Sequence, residues 1–173
     1  MSLAMGWDEW AAQDAVGLAA LVLQGQVTPA ELAAQAAAAV GKVNPTLAAV
    51  VEVFEDVVAD PLRDGMNPNG PLAGVPFLMK DLGPTVKGRL QEMGSQFMRG
   101  HRPQADAFLT GQIRKAGLNI IGRTTTPEFG VCSSAENPAV YVTRNPWNLA
   151  YTTCGSSAGT AAALAAGVLP LSH

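Results

Sequence analysis

Apolar residues recur at helical spacing between Asp14 and Gln24, where Ala15, Leu18, Ala19 and Val22 share one face, and Gly25 stops the run. Thr28-Pro29-Ala30-Glu31 then forms a capping box: Thr28 at the N-cap, Pro29 at the first helical position and Glu31 reaching back. The helix that starts there is predicted to reach Val43 and to end at Asn44-Pro45. Leu47 to Phe54 is apolar and β-branched, which predicts a strand. Asp60 to Pro71, rich in Gly, Pro, Asn and Asp, predicts an exposed connection.

A second apolar run, Leu72 to Leu82, predicts a strand that delivers Lys80 and Asp81 at its end. Asp106 to Ala116 has an amphipathic helical pattern closed by Gly117, and Leu118 to Gly122 predicts a short buried strand. Thr124 to Gly130 predicts a turn or short helix, and an alanine-rich helix follows Gly155-Ser156-Ser157-Ala158-Gly159. Strands alternating with helices point to a layered α/β fold with a largely parallel or mixed sheet covered by helices. Val168 to His173 carries no helix cap and reads as the start of a further strand, so the chain is expected to be part of a longer protein.

Composition narrows the function classes. With 173 residues, 48% of them hydrophobic and 14% charged, the chain has enough apolar side chains for a core and too few charges for a disordered segment. A net charge of −3 argues against nucleic acid as a partner. No apolar run has the length of a membrane span, and the first ten residues lack the basic and apolar regions of a signal peptide. Met1-Ser2-Leu3 is compatible with an expression scar. Cys132 and Cys154 have neither C-x-x-C spacing nor paired histidines nearby, which predicts reduced thiols and a cytoplasmic setting.

Candidate chemistry centres on residues 154–160. Gly155 and Gly159 allow close backbone approach, and the following helix offers free N–H groups beside Ser156 and Ser157. Such a site holds developing negative charge, or it is simply a serine N-cap on a buried helix. Gly155-x-Ser157-x-Gly159 matches the nucleophile elbow of α/β-hydrolases, but no apolar strand precedes it, no His-Gly-Gly-Gly segment is present and no Asp follows. A phosphate loop would need Gly-Lys-Ser/Thr, which is missing. His101 and His173 form no metal pattern, and His101 reads as a surface-loop residue. Serine with lysine remains. A lysine carried into the interior on an apolar strand loses its charge more easily than an ordinary one, whose pKa is about 10.4. Lys80 is placed that way, unless it simply pairs with Asp81 at the strand end.

Four motifs in register extend this reading: Gly74-Val75-Pro76-Phe77-Leu78-Met79-Lys80-Asp81, Gly122-Arg123-Thr124-Thr125-Thr126-Pro127-Glu128-Phe129, Thr143-Arg144-Asn145-Pro146-Trp147-Asn148-Leu149 and Gly155-Ser156-Ser157-Ala158-Gly159. In order and spacing they resemble the amidase signature family, and within it the branch of hydrolases acting on 6-aminohexanoate cyclic dimers. The resemblance runs through nearly the whole chain, including the two opening helices.

It implies the amidase-signature fold, incomplete at the C-terminus, with residues 1–173 as the N-terminal portion of a single amidase domain. It further implies a Ser–cis-Ser–Lys triad that cleaves amides through an acyl-enzyme, with Lys80 as base and Ser156, after a cis peptide at Gly155, as the bridging serine. The family's nucleophile and oxyanion hole come from a later Gly-Gly-Ser loop beyond His173, so the piece alone is expected to be inactive. Gly130-Val131-Cys132-Ser133-Ser134 matches the substrate-facing loop, so Val131, Cys132 and Ser133 are expected to bind substrate together with Gly155 and Ser157; the alternative is that Val131 and Cys132 are core. The family's Gly-Gly-Ser-Ser-Gly-Gly is here Cys154-Gly155-Ser156-Ser157-Ala158-Gly159, and Cys154 is expected to pack rather than react. The implied partners are a small-molecule amide and a second copy of the chain as homodimer, without metal, organic cofactor, nucleic acid or membrane. Three other readings stay open: a glutamine-hydrolysing component of an amidotransferase, an α/β-hydrolase using Ser157, and a degenerate amidase domain kept for binding.

Overall fold

The computed structural model describes residues 3–173; Met1 and Ser2 of the suspected scar lie outside the described residues. In chain order the elements are α1 (Trp7–Ala12), α2 (Ala15–Leu23), α3 (Pro29–Leu47), β1 (Val50–Val53), α4 (Glu55–Ala59), β2 (Pro76–Lys80), α5 (Phe108–Lys115), β3 (Asn119–Thr124), the short strands β4 (Glu136–Asn137), β5 (Tyr141–Val142), β6 (Arg144–Asn145) and β7 (Asn148–Thr152), and α6 (Ala158–Ala165). Among the described residues no helix is long and apolar enough to cross a membrane.

The capping box forms as expected: Thr28 Oγ1 accepts from the Glu31 N–H at 3.2 Å, and Glu31 Oε2 accepts from the Thr28 N–H at 2.8 Å. The predicted stop at Asn44-Pro45 does not hold, because α3 runs on to Leu47. Pro45 sits in the last turn, where it removes a single donor. The end is set instead by Ala48 in the left-handed region (φ 47°) and by the Asn44 amide. Asn44 Oδ1 accepts from the N–H groups of Ala49 and Val50, each at 2.8 Å, and Nδ2 donates to the Val50 carbonyl at 2.9 Å. The start of the following strand therefore moves from Leu47 to Val50.

β3 is the centre of a three-stranded sheet of order β1-β3-β2. β2 runs parallel to it, from Pro76 opposite Asn119 to Lys80 opposite Thr124, while β1 runs antiparallel. The sheet is thus mixed. Every residue of β2 and β3 is buried, which explains the apolar stretches Pro76–Met79 and Ile120–Ile121 within them. Leu78 and Ile121 have no exposed surface, and each such side chain contributes about 1.5–3 kcal/mol. α3 and α6 pack on these strands. Alanines at positions 33, 36, 162 and 163, all fully buried, let the helices approach closely. Trp10 Nε1 donates to the Gly167 carbonyl at 3.0 Å and ties α1 to the end of α6.

Val168–His173 forms no assigned strand. It does lie against the edge of β2, where the His173 N–H (3.1 Å) and the Ser172 hydroxyl (2.7 Å) both donate to the Leu78 carbonyl. The remaining strands form two separate antiparallel pairs, β4–β5 and β6–β7.

Candidate active site

Lys80 ends β2 with only 8% of its surface exposed. Its Nζ stands 2.7 Å from Ser156 Oγ, across 76 residues of sequence. Asp81 does not pair with it. The Asp81 carboxylate accepts from Arg123 Nη1 at 2.9 Å and from the Glu92 N–H at 3.0 Å. Arg123 also donates to Glu52 Oε2 at 2.9 Å and Glu92 Oε2 at 2.7 Å. The carboxylate nearest in sequence is thereby occupied, and the lysine is left facing a neutral hydroxyl. Burial lowers the Lys80 pKa below the ordinary lysine value and raises that of Asp81, against the pull of Arg123.

Ser156 is placed by the loop before α6. The Gly155–Ser156 peptide is cis, and the Ser156 carbonyl accepts from Thr126 Oγ1 at 3.3 Å. Close approach at Gly159 seats the helix: its N–H donates to the Thr125 carbonyl at 3.2 Å, and an added Cβ would stand 2.1 Å from the Ala49 carbonyl oxygen and 2.4 Å from Thr125 N. Thr160 Oγ1 lies 2.8 Å from Thr124 Oγ1 at the end of β3 and also donates to the His173 carbonyl. His173 is near enough for the Lys80 charge to add to burial in lowering its pKa.

The other expected site residues divide. Gly155 and Ser133 are neighbours: a Cβ on Gly155 would meet the Ser133 carbonyl oxygen at 3.1 Å. Ser157 occupies the N-cap position of α6 but makes no side-chain capping bond. Val131 is 83% exposed and Cys132 is exposed, so the alternative that they are core is wrong. Cys154 is also exposed. The expectation that it packs fails, because its backbone turns through the left-handed region (φ 56°) on an open loop. His101 is exposed, as a surface-loop residue should be.

The nucleophile elbow does not form. The strand before Ser157 is β7, which ends at Thr152, is exposed over most of its length and pairs only with β6, apart from the central sheet. Residues 153–156 separate it from Ser157.

Sequence reasoning gives no role to Arg123, Glu52, Glu92 or Tyr141. Arg123 has a readable signal: an arginine inside a buried apolar run must meet carboxylates. Chemically, the pair at 2.7 Å works in one direction per charge state. The Lys80 ammonium can only donate to Ser156 Oγ, whereas the neutral amine can accept the serine proton. A lowered pKa favours the second state.

The sequence profile of the Amidase family matches residues 31–173. The chain is 38% identical over 169 residues to a 6-aminohexanoate-cyclic-dimer hydrolase of Paenarthrobacter ureafaciens, covering 96% of this chain and 33% of that protein. It is 37% identical over 158 residues to a glutamyl-tRNA(Gln) amidotransferase subunit from Symbiobacterium thermophilum, covering 87% and 32%. A solved structure of 6-aminohexanoate cyclic dimer hydrolase superposes with a TM-score of 0.85 at 35% identity, over 97% of this chain and 34% of that one. The chain thus spans about a third of the length of these relatives. With the sequence matched over most of its length and the backbone superposing on solved members, the chain belongs to the amidase family.

Proposed function

We propose that this chain supplies the base and the bridging serine of an amide hydrolase, as the N-terminal portion (residues 1–173) of a single amidase domain. The observation that carries the reading is the 2.7 Å contact between a buried Lys80 Nζ and Ser156 Oγ. A serine from a later part of the longer polypeptide attacks the amide carbonyl. Its proton passes to Ser156 Oγ as Ser156 gives its own to neutral Lys80. Lys80 then returns a proton through Ser156 to the leaving amine as the C–N bond breaks. Water releases the acyl group by the same relay, leaving carboxylate and amine. Val131, Cys132, Ser133, Gly155 and Ser157 face the substrate.

Since only neutral Lys80 accepts the proton, activity rises as pH rises through its pKa, which burial sets below the ordinary lysine value. The test is hydrolysis of linear and cyclic carboxamides, the 6-aminohexanoate cyclic dimer included, by the full-length polypeptide. Lys80→Ala is expected to lower kcat/KM by about 10³-fold or more. Retention of activity within a few-fold would sink the reading. The similarity to an amidotransferase component supports a second reading, glutamine hydrolysis within a multi-protein complex. Activity on glutamine only in the presence of co-purifying proteins would select it.

A further inference from the structure

Thr124, Thr125 and Thr126 form a run of three, and each hydroxyl holds a different part of the molecule. Thr124 Oγ1 meets Thr160 Oγ1 of α6 at 2.8 Å. Thr125 Oγ1 meets Thr143 Oγ1 at 2.6 Å, and Thr143 in turn donates to the Ala48 carbonyl at 3.0 Å. Thr126 Oγ1 holds the Ser156 carbonyl. The backbone of Thr126 is closed by a single phenol: its N–H donates to Tyr141 Oη at 3.0 Å, and the Tyr141 hydroxyl donates to its carbonyl at 2.8 Å. Gly94 (φ 64°) seals this clamp, since a Cβ there would stand 2.6 Å from Thr126 O and 2.8 Å from Tyr141 Oη.

We propose that Tyr141, acting through Thr126, is a positioning residue that sets Ser156 Oγ against Lys80. The inference rests on the relay role proposed for Ser156. With one phenol saturating both backbone groups of Thr126, the threonine has one place to be, and its hydroxyl fixes the carbonyl of the bridging serine. Tyr141 touches no reacting atom. Burial raises its pKa to about 12, so it is neutral at working pH, and Tyr141→Phe removes hydrogen bonds without removing charge. The charged groups around the clamp and the lysine are Asp81, Arg123 and Glu92, and His173 is the further titratable one. All are kept in that variant, so a change in Lys80 titration reports position rather than a lost charge.

The test uses the full-length polypeptide and needs no turnover. The rate of Lys80 acetylation by a small anhydride is followed against pH by mass spectrometry of its peptide, beside a thermal melt. Lys80 in the unsubstituted chain is expected to titrate below the ordinary lysine range. Tyr141→Phe lets water reach the amine and moves the titration upward by about half a pH unit, or about threefold less neutral amine at a fixed pH. Thr126→Val, which removes the hydroxyl through which the phenol acts, moves it the same way by at least as much, and the double variant moves it no further than Thr126→Val alone. Tyr151→Phe, on the exposed face of β7, leaves it unchanged. A Tyr141→Phe chain that melts earlier with unshifted Lys80 titration makes the phenol merely structural and overturns the proposal. If Tyr141→Phe loses its cooperative melt, folded Thr126→Val with unshifted Lys80 overturns it equally. An ordinary Lys80 titration in the unsubstituted chain fails one step earlier: it removes the relay itself.

Discussion

The two sides of Ser156 are built differently. On the sheet side, Lys80, Thr124, Thr125, Thr126 and Asp81 are all buried, and nearly every polar atom among them has a named partner. On the other side lie Val131 (83% exposed), Cys132 and Cys154, with few hydrogen bonds beyond their own turns. The buried side uses paired charges and close backbone approach to fix a proton acceptor to within hydrogen-bond distance. The open side presents shape and apolar surface without fixing any of it. Proton transfer is sensitive to tenths of an ångström, whereas enclosing a substrate is a matter of lining and area.

The largest break in the comparison comes from removing the charge at its centre. Arg123→Met leaves the carboxylates of Asp81, Glu92 and Glu52 without the guanidinium that touches all three. A buried ion pair broken from one side costs about 3–5 kcal/mol, read as denaturant midpoint. The pH dependence has a definite sign. Burial already raises the Asp81 pKa against the opposing pull of Arg123, so in the variant it stands higher still. A carboxyl whose folded pKa exceeds its unfolded one loses stability as pH rises from the unfolded value, about 3.9, through the folded one. Arg123→Met is therefore expected to be less destabilised at about pH 4 than at about pH 7, measured as the gap to the unsubstituted chain. A gap that stays constant would show that the arginine acts by packing alone.

Gly159 and Gly155 sharpen the same contrast within one motif. Gly159→Ala drives a Cβ into the backbone of Ala49 and Thr125, which cannot retreat because both belong to the sheet side. A cost of about 3 kcal/mol is expected. Gly155→Ala meets Ser133 O at 3.1 Å and Pro127 Cγ at 3.4 Å, on a loop that can give by a few tenths of an ångström. Its cost should be about 1 kcal/mol. Thermal melts of the two variants, side by side, test whether the site is rigid on one side only; equal losses would contradict it.

The same division decides how much can be read from the chain alone. β2, β3, the capping box and α6 follow from apolar runs and cap residues, because burial and local hydrogen bonding act at short range. The placement of Lys80 at a strand end is equally legible, whereas its approach to Ser156 is what the resemblance to the amidase signature family implies. What escapes depends on groups that meet only in three dimensions. Pro45 is carried inside α3 because Asn44 satisfies two N–H groups beyond the helix end. Tyr141 lies on a two-residue strand with no periodic signal, and its bond to Thr126 spans a loop. Cys154 reads as a packing residue, yet no local pattern records that its turn opens outward.

The smallest expected effect is the most direct test of the open side. Val131→Ser removes a large apolar side chain that is more than four-fifths exposed, and Trp147→Ser, equally exposed but at the far end of α6 beside Ala165 and Ala166, is its control. In a chain of this size, side chains that make no buried contacts change stability within about 0.5 kcal/mol on substitution. Trp147 has one complication, since its backbone N–H donates to Asn145 Oδ1 at 3.0 Å; that bond belongs to the main chain of Trp147 and survives the substitution. Both variants should melt with the unsubstituted protein, and Lys80 should titrate as before, because both side chains are exposed. A loss of about 2 kcal/mol at Val131 would mean that the open side braces the sheet side. The site would then be a single rigid unit, and its orderly half could no longer be treated as complete in itself.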